Sequence, residues 1–311
     1  MNSNARVVAV AGLSVVSAAS LAAQAPGSDT LVKYWITPSA ADTSIKRFNE
    51  PNYVVFERHV KAGAPLFVFM PGTDGRPANT TDFSNAAARQ GYRVIGLSYN
   101  DVPAVAQICP REPDPRCAEK VRQKRIFGDD DTHLIDDARE ESIVNRLVKV
   151  IEKLQHDHPD DGWDDYLEHG KPKWARIAVS GLSQGAGMAA FIAQKNEVAR
   201  VVLFSSPWDN YGRQRTLAPW VTAGPKATPA DRWYGAYHQS EPMASTIARA
   251  YAALRIPSDH LRVLTLEPAR ANAKGEIPYH PSSVGNAVTP RRADGTPAYL
   301  DDWKFLIGGA R

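Results

Sequence analysis

Short apolar runs alternate with segments of helical periodicity along most of the chain. Continuous apolar runs bounded by turn residues are typical of strands buried on both faces of a sheet. Such runs occupy residues 53–56, 66–70, 92–99, 175–180, 201–204, 233–238 and 261–266. Helical patterns lie between several of them, at residues 81–90, 133–156 and 186–195. The alternation predicts an α/β fold, in which a mostly parallel, doubly wound sheet carries helices on both faces.

The first 25 residues have the pattern of an export signal. Arg6 is the only charged residue, an apolar run covers residues 7–16, and small residues follow as far as Ala25. A basic start, a short apolar stretch and an A-x-A-like end are typical of a secretory signal peptide. The run is shorter than the roughly 20 residues that span a bilayer. We therefore expect residues 1–25 to be removed, and residues 26–311 to form one secreted or periplasmic domain without a stable membrane anchor.

The charge pattern excludes any obvious nucleic-acid interface. The formal net charge of +3 includes Arg6, and Lys and Arg are scattered among acidic residues without a basic stripe. The acidic run at residues 129–131 resembles a calcium loop, but it directly precedes a strong helical pattern. We interpret these acids as residues that cap that helix, and we expect neither a bound metal nor an organic cofactor.

Cys109 and Cys117 are the two cysteines of the chain, and a proline-rich segment lies between them. In an exported protein this spacing predicts a disulfide, with a pair of free thiols as the alternative. A bridge that closes so short a loop contributes on the order of 2–3 kcal/mol in the loop-entropy description. The pair has no neighbouring histidine or further cysteine that would complete a zinc site.

The strongest chemical signal is the sequence Gly181-Leu182-Ser183-Gln184-Gly185. A serine hydroxyl becomes a useful nucleophile only where it is exposed and lies beside a base. The pattern G-x-S-x-G provides this through a strained turn between strand and helix, where glycine avoids clashes at the flanking positions. Its place between a predicted strand and a small-residue helix favours this interpretation over an ordinary turn. Ser183 is therefore the candidate nucleophile.

With this motif the chain resembles the α/β-hydrolase superfamily, in particular its esterase and lipase-like serine hydrolases. The resemblance covers most of residues 53–307 and depends on the motif at 181–185, on the segment FVFMPG at 67–72, and on the chain order of the candidate residues after the motif. It implies an oxyanion hole formed by two backbone amides. One belongs to Gln184, and the other lies in the turn at 71–75, where Thr73 is our first choice and Asp74 the alternative.

The same resemblance implies a base and an acid in the chain order Ser, acid, His. His280 follows the last predicted strand by a loop, and we take it as the base. His260 lies before that strand, and His238 belongs to a strand, where we expect it in packing or a hydrogen bond. Glu241 follows the strand at 233–238 and is the candidate acid. Asp209, after the preceding strand, is the alternative.

These residues predict a carboxylic ester hydrolase that acts through an acyl-enzyme on a small-molecule or lipid-like ester. Residues 207–232, with Trp208, Tyr211 and Trp220, predict a small cap over the site, or else an ordinary packed loop. A peptidase or a polyester hydrolase on the same fold is the alternative activity. A non-catalytic secreted binding protein with this fold is the alternative from another functional class.

Overall fold

The computed structural model describes residue 1 and residues 30–129, 132–212 and 214–310. The predicted signal peptide, apart from residue 1, therefore lies outside the described residues. The strands are β1 Leu31–Ile36, β2 Asn52–Glu57, β3 Leu66–Met70, β4 Arg93–Gly96, β5 Leu167–Glu168, β6 Lys171–Pro172, β7 Ile177–Leu182, β8 Arg200–Phe204, β9 Asn210–Tyr211, β10 Thr216–Leu217, β11 Trp233–His238 and β12 Leu261–Leu264. Every predicted strand is present, with ends within three residues of the predicted bounds.

The helices connect these strands and close the chain. They are α1 Pro38–Ala41, α2 Thr81–Arg89, α3 Val105–Ile108, α4 Cys117–Phe127, α5 Ile143–Asp157, α6 Gln184–Lys195, α7 Pro219–Thr222, α8 Ala244–Ala253 and α9 Leu300–Ile307.

Eight strands form one sheet in the order β1-β2-β4-β3-β7-β8-β11-β12. The pairs β1–β2 and β2–β4 are antiparallel. The other six strands of the sheet run parallel to their neighbours, in the order β4, β3, β7, β8, β11 and β12. The short pairs β5–β6 and β9–β10 are separate two-stranded hairpins. This mostly parallel sheet, with the strand-to-helix turn at Ser183, has the arrangement predicted for an α/β-hydrolase, and the predicted fold class is confirmed.

The sheet is buried on both faces because successive residues of its strands enter two different hydrophobic cores. In β3, for example, Leu66, Val68 and Met70 belong to one core, and Phe67 and Phe69 belong to the other. Helices α4, α5, α6 and α8 cover the first face, and α2 and α9 cover the second. This two-sided burial explains the continuous apolar runs, since neither face of a central strand meets water.

Strand β1 is an element that the apolar runs do not predict, since residues 26–52 contain none. It lies at an edge of the sheet, and its residues alternate between more and less buried positions. Alternation of this kind is the pattern of a half-buried strand.

The helix predicted at 133–156 begins only at Ile143, so the first ten residues of the prediction are wrong. The Ser142 hydroxyl caps the helix by accepting the backbone N–H of Asn145 at 3.3 Å. Asp137 and Glu141 lie in the preceding loop, each in an ion pair with a buried arginine. Asp137 also accepts a hydrogen bond from Asn100 Nδ2, and Glu141 accepts the backbone N–H of Lys46. Because both acids serve these long-range contacts, the local helical pattern is overridden there.

The interpretation of residues 129–131 as helix caps is wrong for the same reason, since the helix starts well beyond them. The Asp129 carboxylate instead accepts a hydrogen bond from Gln123 Nε2 at 2.9 Å. Residues 130 and 131 lie outside the described residues.

Candidate active site

Ser183 lies in a strained turn between β7 and α6. Its backbone has φ 53° and ψ −118°, a conformation that non-glycine residues rarely adopt. A Cβ atom on Gly185 would lie 2.0 Å from Met70 O, and one on Gly181 would lie 2.6 Å from the same oxygen. Both glycines are therefore required because the turn lies directly against the end of β3. The turn leaves Ser183 partly exposed at the carboxyl end of the sheet.

The carboxyl ends of four neighbouring strands are joined just beyond their last residues. The backbone hydrogen bonds that join them run from Ser183 N to Phe204 O at 2.9 Å, from Ser205 N to Ala236 O at 2.9 Å, and from Gln239 N to Leu264 O at 3.0 Å. The loops after these strands therefore begin side by side. They carry Ser183 after β7, Asp209 after β8, Glu241 after β11 and His280 after β12.

Glu241 and His280 form a hydrogen-bonded pair. The distance from His280 Nδ1 to Glu241 Oε2 is 2.5 Å. The Glu241 side chain is fully buried, whereas 33% of the His280 side chain is exposed. Because a carboxylate can only accept, His280 donates through Nδ1–H, and Nε2 of the neutral ring remains an acceptor.

The other oxygen of Glu241 is also fixed. Oε1 accepts the Ser205 hydroxyl at 2.9 Å and the backbone N–H of His238 at 2.8 Å. Three donors therefore converge on one buried carboxylate, which satisfies it without a cation. Ser205 is not among the residues predicted from the sequence, where its only local signal is its position directly after a buried strand.

Asp209, the alternative acid, has other partners. Arg122 donates to both of its oxygens, through Nε at 2.7 Å and Nη2 at 2.6 Å, and Trp220 Nε1 donates to Oδ2 at 2.9 Å. Asp209 and Arg122 are both almost completely buried. Within the described part of the chain, the structure pairs His280 with Glu241 and engages Asp209 elsewhere.

The Ser183 hydroxyl and the His280 ring are not hydrogen-bonded to each other in the described residues. In enzymes without substrate such contacts are often long and shorten only when substrate binds. Both residues lie on loops that start from the same edge of the sheet.

The turn expected to supply the second oxyanion amide lies against Ser183. Gly75 N–H donates to Gly72 O at 2.8 Å and closes a tight turn over Thr73 and Asp74. Asp74 has φ 57° in the left-handed region. A Cβ atom on Gly72 would lie 3.2 Å from Ser183 Cβ, so the turn passes close to the serine.

Two residues that follow β4 hold this turn from beneath. The Tyr99 hydroxyl donates to Pro71 O at 2.9 Å, and Asp101 Oδ2 accepts the backbone N–H of Gly75 at 3.2 Å. Burial raises the pKa of the Asp101 carboxyl to about 6, although the backbone N–H groups of Asp74 and Gly75 act in the opposite direction. Asp101 is also absent from the sequence-based predictions, because it lies in a segment without a recognised motif.

A cavity of about 180 Å³ opens beside Ser183. Its lining consists of Thr73, Ala104, Ala106, Gln107, Arg122, Ser183, Gln184, Ser206, Trp208 and Asp209. Thr73, Ser183 and Gln184 thus face the same space, as the predicted oxyanion hole requires. Within the segment 207–232, the structure forms the β9–β10 hairpin and the short helix α7, and Trp208 contributes a wall of the cavity.

The remaining histidines near the site have structural partners. His238 is fully buried and bonds through Nε2 to Leu266 O at 3.1 Å, while Ser240 N–H donates to its Nδ1 at 3.0 Å. His260 stacks on Tyr234 and bonds to a backbone oxygen. The expectation that His238 makes a hydrogen bond is confirmed.

The predicted disulfide between Cys109 and Cys117 is present and joins the end of α3 to the start of α4. In the described residues, no group of three or more His, Cys, Asp or Glu side chains is arranged to hold a metal ion. The described helices include none that is both long and apolar enough to cross a membrane.

Comparisons with known proteins find similarity among solved structures but not among family models or curated sequences. No protein-family model matches the chain, and no curated protein matches it in sequence. Among solved structures, the chain is similar to a Klebsiella pneumoniae protein described as a "putative dienelactone hydrolase", at 12% sequence identity and a TM-score of 0.37. The match covers 78% of this chain and 88% of that one. Because this similarity is so distant, the fold is assigned from the strand order and the turn at Ser183.

Proposed function

We propose that this protein is a serine hydrolase that cleaves carboxylic esters, with Ser183 as nucleophile, His280 as general base and Glu241 as the acid that orients it. The observation that carries the proposal is the combination of two features at one edge of the sheet. Ser183 occupies a strained strand-to-helix turn, and the adjacent loops hold a buried carboxylate bonded to a partly exposed imidazole.

In the first step the His280 ring acts through Nε2. Glu241 holds the proton on Nδ1, so Nε2 accepts the proton of the Ser183 hydroxyl as its oxygen attacks the ester carbonyl carbon. A tetrahedral intermediate forms with a negative oxygen. His280, now an imidazolium beside the carboxylate, passes its proton to the alkoxide leaving group. The alcohol departs, and an acyl-Ser183 ester remains.

In the second step water repeats the attack on this acyl-enzyme. His280 Nε2 accepts a proton from water as the hydroxide oxygen bonds to the acyl carbon. Collapse of the second intermediate breaks the bond to Ser183 Oγ, which takes the proton back from His280. The products are a carboxylic acid and an alcohol, and the cycle requires no cofactor.

The negative oxygen is stabilised by backbone donors. The amide of Gln184 begins helix α6, whose amino end carries partial positive charge, and the amide of Thr73 lies in the opposite turn. Removal of one such donor typically costs about 2.7–4 kcal/mol in the transition state. The buried network beneath Thr73 holds this turn rigid, so little reorganisation accompanies the reaction.

The substrate we propose is a small-molecule or lipid-like ester, met outside the cytoplasm. The Cys109–Cys117 bridge supports an oxidising compartment, where such bonds persist. The same set of residues can also hydrolyse amides and polymer esters. A comparison of substrates can therefore identify a peptidase or a polyester hydrolase instead.

A fluorophosphonate probe, which phosphonylates an activated serine, tests the proposal directly. We expect labelling of the wild type and of Ser245→Ala, which removes an exposed hydroxyl on α8, and none of Ser183→Ala. Hydrolysis rates for p-nitrophenyl esters of increasing acyl length then define the substrate. Folded wild-type protein that neither reacts with the probe nor hydrolyses any ester would instead be a binding protein.

A further inference from the structure

A wider groove leads away from the cavity beside Ser183. This groove has a volume of about 760 Å³, and it shares Ala106, Gln107 and Trp208 with the smaller cavity. The shared residues place the groove directly beside the cavity. A substrate whose ester lies at Ser183 can therefore reach the groove past Trp208.

Two arginines line the groove. Arg111 ends the 3₁₀ turn at Cys109–Arg111, and Arg215 lies between β9 and β10. Both side chains are exposed, and the described residues give neither of them a hydrogen bond or an ion pair. The other described lining residues are Ala106, Gln107, Pro110, Trp208, Asn210, Gly212 and Met243, among which there is no carboxylate. The groove therefore carries positive charge that none of its described lining residues neutralises.

The inner cavity differs in this respect. Its arginine, Arg122, is 1% exposed and is neutralised by both oxygens of Asp209. A negative group of a substrate would gain little there, since it would compete with a buried and well-placed carboxylate. The residues that can select substrates by charge therefore lie in the outer groove and not in the inner cavity.

The two walls of the groove are structurally fixed. Arg111 is two residues from Cys109, whose disulfide ties α3 to α4. Strand β9 packs against the 3₁₀ turn that ends at Arg111, and β9 is held in a hairpin with β10. Arg111 and Arg215 therefore lie on adjoining, braced segments, which reduces the entropy lost when both act on one ligand.

We propose that the preferred substrates are anionic esters, in which a carboxylate or similar monoanion remote from the scissile bond lies in this groove and binds Arg111 and Arg215. The inference rests on the proposed function of Ser183. Guanidinium groups bind carboxylates through paired N–H donors, and Trp208 and Met243 offer apolar surface to the chain between the ester and the charge. A neutral ester still reaches Ser183 but gains nothing from the arginines.

Matched substrates test this without knowledge of the natural ester. Monomethyl adipate and dimethyl adipate differ by one charge on the acyl side, and 4-acetoxybenzoate and its methyl ester differ by one charge on the alcohol side. For each pair the measured quantity is the ratio of kcat/KM for the anionic ester to that for the neutral ester. Dividing the wild-type ratio by the variant ratio cancels the chemical reactivity of the substrates.

We expect the double variant Arg111→Gln/Arg215→Gln to lower this ratio on the order of tenfold for at least one pair, since two exposed ion pairs are lost. Each single Arg→Gln variant should lower the ratio by part of this factor. Arg111→Lys keeps the positive charge and should retain most of the wild-type ratio. The control Arg249→Gln removes an exposed arginine on α8, outside the groove, and should leave the ratio unchanged. Raising the salt concentration to about 1 M should also lower the wild-type ratio, because it shortens the screening length to about 3 Å.

The outcomes separate the two proposals. Ester hydrolysis with the same ratio in wild type and double variant, for both pairs, overturns the groove assignment and leaves the function of Ser183 intact. A ratio that falls equally in Arg249→Gln also overturns it, since general charge would then explain the effect. Folded protein that hydrolyses none of the four esters and does not react with the fluorophosphonate would refute the proposed function. The groove assignment depends on that function and would be refuted as well.

Discussion

Replacement of Glu241 by Gln changes one atom of the proposed site and tests the orientation of His280. The His238 backbone N–H and the Ser205 hydroxyl both donate to Glu241 Oε1, at 2.8 and 2.9 Å. A backbone N–H cannot accept, so the amide oxygen of the introduced Gln must occupy this position. The amide NH₂ then faces His280 at the place of Oε2.

This exchange reverses the proton position on the imidazole. His280 Nδ1 must now accept from the amide, so the ring proton moves to Nε2, which can no longer accept from Ser183. In serine proteases the corresponding carboxylate-to-amide change lowers kcat about 10⁴-fold through the wrong tautomer. That factor corresponds to about 5.5 kcal/mol of activation free energy. We expect Glu241→Gln to lower kcat and kcat/KM together, by about 10³–10⁴-fold, because the lost interaction acts only in the transition state.

The assay is steady-state hydrolysis of a p-nitrophenyl ester, with urea denaturation to check that the variant is folded. Asp209→Asn is the matched control for the alternative acid. It leaves buried Arg122 without its counter-charge, so we expect a loss of about 3–5 kcal/mol in unfolding free energy and a smaller effect on kcat. A folded Glu241→Gln that keeps kcat within about tenfold of wild type would refute the tautomer argument. If folded Asp209→Asn were the inactive variant, the acid would be Asp209.

Three further predictions concern stability and are measured by urea denaturation followed by tryptophan fluorescence. Burial raises the pKa of Asp101 to about 6, so the native state holds this proton more tightly than the unfolded chain, and wild-type stability falls as pH rises from about 4 to about 7. The full shift is worth about 3 kcal/mol, and screening near the exposed turn reduces this to about 1–2 kcal/mol. Between about pH 4 and 7, the free energy of unfolding of Asp101→Asn should therefore rise by about 1–2 kcal/mol relative to that of wild type. A difference between the two proteins that is independent of pH would contradict this prediction. In Gly185→Ala the new Cβ lies 2.0 Å from a backbone oxygen at the end of β3, so we expect a loss of at least about 3 kcal/mol. Gly309→Ala, where a Cβ meets nothing within 4 Å, should be near neutral, and equal losses would show that the clash is absent. Replacement of Cys109 and Cys117 by Ser should cost about 2–3 kcal/mol, and the difference should vanish in reducing buffer.

Local patterns along the chain determine much of the molecule. Residues 66–70 form β3 as predicted because a run buried on both faces must be apolar at every position. The glycines around Ser183 predict a strained turn, and the structure has it, since a close approach to β3 leaves no room for side chains. The Cys109–Cys117 bridge follows from its spacing and is likewise present.

Other features depend on residues that are distant along the chain. Glu241 and Asp209 each follow a strand of the same sheet, and no nearby residue distinguishes them as partners of His280. The difference arises because Arg122, 87 residues before Asp209, occupies both of its oxygens. The loop before α5 has the same cause, since Glu141 accepts the backbone N–H of Lys46, 95 residues away, and Asp137 accepts from Asn100, 37 residues away, although their segment has a helical pattern. The hydrophobic periodicity of a segment indicates which side of an element is buried. Packing in three dimensions determines which of several similar polar residues pair with each other.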